Sequence, residues 1–188
     1  MTVFALAGRR IDAPDAPERR FPPSAETLVA AALRDQFRAL NATVLVCAAA
    51  CGADLIAIET ATATGLRVRI VLPTDSATFR AKSVVDRGSS WGERFDRAIV
   101  AAVANDDLIV LGHERVDGPA IAHTNEAILD EAHRIAERTG QDLVAIAVWN
   151  GTSNRPNDAS AAFIRAAAAR HLSVIEISSI DGRRLDAG

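Results

Sequence analysis

The stretch from Thr43 to Leu72, TVLVCAAACGADLIAIETATATGLRVRIVL, decides the fold class. It opens with a short apolar run rich in β-branched residues, Thr43–Cys47, and passes through a loop of small residues ending at Gly52. Helical spacing then runs over Ala53–Thr64 and stops at Gly65, where a left-handed helix cap belongs. A second β-branched run, Val68–Leu72, completes the unit. A strand, a helix and a strand within about thirty residues make a parallel pair joined by a right-handed crossover.

The same alternation extends outward in both directions. Further strands are expected at Val3–Ala7, Asp107–Leu111, Leu143–Val148 and Ser173–Ile177, and further helices at Ala25–Leu40, Trp91–Ala104, Ala120–Arg138 and Ser160–Arg170. Most of the strands lack polar alternation, as strands covered on both faces do. Ser24 and Asp158 are placed to cap the first and last helices, and Gly140 to end the fourth. Thr74–Ser90 reads as a long connection of the kind that forms lids. Trp91 and Phe95, four apart on one helix, read as core packing, with base stacking as the alternative. The expectation is one α/β domain over residues 1–178, a doubly wound parallel sheet with helices on both faces. Residues 179–188 read as a loosely held polar tail.

Composition narrows the function classes. The chain has 188 residues, 49% of them hydrophobic, and a net charge of −3 with no basic run, which argues against a nucleic-acid polymer as partner. Arginine carries almost all the positive charge, and Lys82 is the sole lysine. No apolar run reaches the roughly 20 residues that span a bilayer, and the N-terminus shows no leader pattern, so a cytoplasmic protein is expected. Cys47 and Cys51 make no secreted disulfide framework, and the four histidines show no metal-ligand spacing with them. No metal and no cofactor are expected.

The unusual residues gather after the strands. Gly8-Arg9-Arg10 follows the first, Cys51-Gly52-Ala53-Asp54 the second, Pro73 the third, Gly112 the fourth and Asn150-Gly151-Thr152 the fifth. In an open α/β sheet, ligands bind at these carboxyl ends, where the strand order reverses. A strand order of 3-2-1-4-5 would put that point between the Gly8 and Gly112 loops. Gly8 lets backbone approach a ligand and Arg9 or Arg10 can fork onto phosphate oxygens, or the three form a tight turn with two solvated arginines. The small residues before Asp54 leave helix N–H groups open to an anion, and Asp54 suits ribose hydroxyls or a helix cap. Lys82 can meet ligand charge or face solvent. Gly151 and Thr152 can seat a phosphate or sugar, or form an ordinary turn. Glu59 reads as a general acid/base or as the partner of an arginine such as Arg67. It lies five positions after Asp54, about 140° around the helix, so the two carboxylates do not share a face.

Taken in order, these segments resemble the SLOG superfamily, Rossmann-like domains of bacterial sensor and conflict systems. The resemblance runs from Gly8 to about Ile177 and is carried by Gly-Arg-Arg-Ile-Asp, Arg20-Phe21-Pro22, Cys51-Gly52-Ala53-Asp54 with Glu59, Leu72-Pro73, Phe79 to Val84, Trp91 to Phe95, Asn125, and Trp149-Asn150-Gly151. It implies a nucleotide or nucleotide-derived ligand, with Gly8, Arg10, Gly52, Ala53, Asp54, Pro73 and Gly151 lining the pocket. It also leaves room for a homo-oligomer or a fused or associated effector domain. Arg9 stands where the family more often has histidine, and Asn157-Asp158-Ala159-Ser160 replaces a glycine-rich last loop, which leaves phosphate binding there open. Relatives that hydrolyse the N-glycosidic bond of nucleoside monophosphates carry Pro-Gly-Gly-x-Gly-Thr-x-x-Glu, a run this sequence lacks. The expectation is a sensor that binds without turnover. The alternatives are an N-glycoside hydrolase using Asp54 or Glu59, and an interaction module with a degenerate pocket.

Overall fold

The computed structural model describes residues 1–153 and 158–185. At its centre, β1 (Thr2–Gly8) pairs in parallel with β2 (Ala42–Cys47) on one side and β5 (Asp142–Trp149) on the other. With β3 (Arg67–Leu72), β4 (Leu108–Val110) and β6 (Ser173–Ser178), these form one parallel sheet in the order β4-β3-β2-β1-β5-β6.

The side chains of β1 sort by parity, because successive residues of a strand face opposite sides. Phe4 and Leu6 point toward α1 (Glu26–Ala39), α2 (Ala53–Ala63) and α4 (Ser89–Ala104), where they join Phe37, Leu55 and Phe95. Val3, Ala5 and Ala7 point to the other face, under α5 (Gly118–Thr139) and α6 (Ala159–Ala169), and meet Leu129 and Phe163. Each large side chain buried in these two layers contributes about 1.5–3 kcal/mol. Trp91 and Phe95 are buried in the first layer. The doubly wound α/β architecture is therefore present, with helices on both faces.

The strand order departs from 3-2-1-4-5. β4 sits at the outer edge beside β3, in register from Ile70 opposite Leu108 to Leu72 opposite Val110. Buried Asp107, at the entry to β4, holds it there by accepting from Arg67 at 2.7 Å and from Arg69 at 3.0 Å. The neighbour of β1 across the reversal is β5. The switch point consequently lies between the Gly8 and Asn150-Gly151 loops, and exposed Gly112 is three strands away.

Within Thr74–Ser90 the chain forms a helix, α3 (Ser76–Ser83), and a short 3-10 turn, Val85–Arg87, instead of an open connection. Asp75 caps α3 by accepting from Thr78 N at 2.9 Å, and Phe79 stacks on Phe95 at 6.1 Å between ring centroids. Ser24 lies inside a 3-10 turn, Pro23–Ala25, and gives no side-chain cap to α1. The caps expected of Asp158 and Gly140 are present, the latter in left-handed backbone with φ 64°. The segment after Ser178 folds back on β6 rather than hanging loose. Ser178 N donates to Arg183 O and Leu185 N to Glu176 O, both at 2.8 Å, and Ser179 is fully buried. The rest of that tail, 186–188, lies outside the described residues, as does 154–157 of the polar turn before α6. Among the described residues, no helix is long and apolar enough to cross a membrane.

Candidate functional site

A cavity of about 130 Å³ lies over the carboxyl end of β1. Its floor is Leu6, Ala7 and Gly8, followed outward by Ala48 and Ala50 after β2 and Pro73 after β3. Phe79 and Ser83 of α3 close one side, and Ile121, Thr124, Asn125 and Ile128 of α5 the other. The start of α6, Ala159 and Ser160, completes the wall, and Asn125 Nδ2 donates to Ala159 O at 3.0 Å to tie the two helices together there.

One carboxyl group faces this space. Asp54 sits in the first turn of α2 and is 6% exposed. Its Oδ2 accepts from Ala50 N at 3.1 Å, which folds the small-residue loop back over the helix start. Its Oδ1 is buried and has no hydrogen-bond partner. Burial pushes the carboxyl up from 3.8 to about 7, against the lowering effect of the Ala50 N–H. A buried oxygen left without a partner costs on the order of 1–3 kcal/mol.

The expected site residues separate into two sets. Gly8, Arg10, Asp54 and Pro73 converge on the cavity. Arg10 stands at its edge, where its Nε donates to Cys51 Sγ at 3.4 Å and its guanidinium pairs with Asp86. Burial pushes the Cys51 thiol up, against the neighbouring guanidinium, and both Cys51 and Cys47 are free thiols.

The second set is occupied with holding the loops together. Gly52, at φ 111°, faces the backbone of residues 9–11, and a Cβ there would lie 2.5 Å from Ile11 N. Ile11 N donates to Cys51 O at 3.1 Å and Ala53 N to Arg9 O at 3.0 Å, so the helix start expected to cradle an anion is clasped by the chain itself. Arg9 reaches the opposite way. It donates from Nε to Asn150 Oδ1 at 3.1 Å and from Nη2 to Thr152 O at 2.8 Å, and it pairs with Asp158 at 2.6 Å. Asp158 in turn accepts from Ser160 N and Ala161 N, each at 3.1 Å, and from Arg20 at 2.9 Å. Although burial opposes it, these donors hold Asp158 below the usual carboxylate range. Gly151 is exposed in left-handed backbone, φ 76°. Lys82 is exposed on α3 and does not line the cavity.

Glu59 is also remote from this space. It faces a shallower groove of about 800 Å³ along α2 and α4, and Arg94 grips both of its oxygens, at 2.8 and 2.6 Å. Arg67, the partner suggested by spacing, is engaged with Asp107. Arg94 also lies 3.9 Å from the Trp91 ring centroid, a cation–π contact.

Thr124, Asn125 and Ser160 were invisible as cavity residues in the sequence, because a polar side chain on the inner face of a helix carries no local mark of what it faces. Asn125 stands out in the sequence only through the family resemblance, and Thr124 has no such mark; all three side chains are buried. No family model matches the chain, and no curated protein matches it.

Proposed function

We propose that this domain binds a nucleotide or nucleotide-derived signal at the carboxyl ends of its parallel strands and acts as a sensor without turning the ligand over. The observation that carries the reading is Asp54, a buried carboxyl that lines a cavity beside the topological switch point and has one oxygen, Oδ1, without a hydrogen-bond partner. A ribose hydroxyl or a base N–H satisfies that oxygen. Arg10 at the cavity edge adds a forked cation for the charged part of such a ligand. The sequence resemblance to SLOG domains points to the same ligand class.

Turnover finds little support. Glycosidic cleavage needs one group to assist the leaving base and a second to stabilise the sugar or deliver water. Asp54 is the one carboxyl group among the described residues lining the cavity, and Glu59 is bound to Arg94 elsewhere. The test is native mass spectrometry of protein purified gently from its host. A nucleotide-sized adduct that Asp54→Ala removes supports the reading. Ligand-free protein that also ignores an added panel of nucleotides refutes it.

A further inference from the structure

We propose that the strand-end cavity takes the uncharged end of the ligand, base or ribose, and that any phosphate stays outside, at the edge marked by Arg10. This rests on the nucleotide-binding reading above and adds an orientation to it.

Three observations carry the orientation. The first is what the cavity presents. Its walls are mostly apolar, from Leu6, Pro73, Phe79, Ile121 and Ile128, and the one buried ionisable group facing it is the Asp54 carboxyl. A phosphate pushed in would lose its hydration against hydrocarbon and meet a carboxylate, while a hydroxyl or N–H donor would complement that carboxyl.

The second is size. About 130 Å³ is well below the roughly 300–1,000 Å³ that enclose a whole drug-sized ligand, so only one end of a nucleotide fits.

The third is that the starts of α2, α3 and α6, three helices that line the cavity, are already engaged. Ala53 N, at the start of α2, donates to Arg9 O. At the start of α6 the Asp158 carboxylate already fills the anion position, capped by two N–H groups and paired with Arg9 and Arg20. The N-terminus of α3 is capped by Asp75. Arg10 remains. Its side chain is 32% exposed and its partner Asp86 is 36% exposed, so a phosphate can exchange for that carboxylate at the protein surface.

Calorimetry of the full chain at about pH 8 tests the orientation, using the four ribonucleosides, their 5′-monophosphates and inorganic phosphate as probes. The nucleoside of the best-bound base should bind no more than about fivefold more weakly than its monophosphate, as suits an exposed ion pair. Arg10→Ala should erase that margin, weakening the monophosphate more than the nucleoside. Inorganic phosphate should not compete. Asp54→Ala should weaken nucleoside and nucleotide equally, by about tenfold or more, the loss of a hydrogen bond to a charged group. Should that variant fold poorly, Ala48→Leu, which fills the cavity from the half-buried end of β2, should abolish both. A monophosphate bound a hundredfold tighter than its nucleoside, or displaced by phosphate, overturns the orientation while leaving nucleotide binding in place. Binding by none of the probes overturns both.

Discussion

Replacing Asp54 with asparagine should make the protein more stable, and by an amount that grows with pH. In the unfolded chain this carboxyl releases its proton near the ordinary value of 3.8, whereas burial raises it to about 7 in the folded protein. Between those values the folded state holds a proton that the unfolded state has lost. Stability therefore falls as pH rises through the window, and the loss is complete above about pH 7. The window is about three pH units wide and each is worth about 1.36 kcal/mol, so the full penalty is roughly 4 kcal/mol. Asparagine carries no charge at any pH, and its carbonyl oxygen still accepts from Ala50 N. From pH 5 to pH 8 the stability gap between Asp54→Asn and wild type should therefore widen by roughly 3 kcal/mol. Urea unfolding of both proteins across that range measures it, with the other titrating groups cancelling in the difference. Parallel curves would mean that Asp54 titrates as an ordinary, solvated carboxylate. The premise of a buried oxygen awaiting a ligand would then be wrong.

Other substitutions probe the frame around the cavity. Gly52→Ala places a Cβ 2.5 Å from Ile11 N at φ 111°, so it should cost at least about 2–3 kcal/mol; a melting temperature within a few degrees of wild type would contradict the clasp. Asp158→Ala removes the α6 cap and strands the nearly buried Arg9 guanidinium, for a combined loss of about 3–5 kcal/mol by denaturant titration. Because Asp158 is held below the usual carboxylate range, its contribution is present above the ordinary pKa and disappears as acidification carries pH down through the folded value. A loss in Asp158→Ala of under about 1 kcal/mol would show that the cap and both ion pairs contribute almost nothing. Glu59→Gln should change stability by less than about 1 kcal/mol, since the Arg94 pair is exposed on the carboxylate side, and should leave ligand affinity untouched. Chromatography of nucleoside monophosphates incubated for hours with the protein should show no free base, and release abolished by Asp54→Asn would replace the sensor reading with a hydrolase.

The alternation of strands and helices was legible because parallel strands covered on both faces must read as apolar runs, and Val3–Ala7 and Leu143–Val148 do. The strand order was not, since it depends on Asp107 meeting Arg67 and Arg69 from a distant segment, a pairing with no local trace. α3 escaped notice because its eight residues bury only Phe79 and Ser83, and its start depends on one capping contact from Asp75. At the site, topology places Gly8, Arg10, Asp54 and Pro73 together, as all four stand at or beyond the carboxyl ends of strands. Arg9 shows the limit of that reasoning. Its neighbour in sequence faces the cavity, yet Arg9 itself is spent on Asn150, Thr152 and Asp158.

The central claim is that Asp54 faces a ligand inside the strand-end cavity, and a crystal structure of the protein soaked with its best-binding nucleotide or nucleoside tests it most directly. Density for a base or ribose should lie between α3 and α5, with a ligand N–H or O–H within hydrogen-bonding distance of the Asp54 carboxyl. Ligand density at the start of α6 with Asp158 displaced, or in the groove beside Glu59 with the strand-end cavity empty, would contradict it.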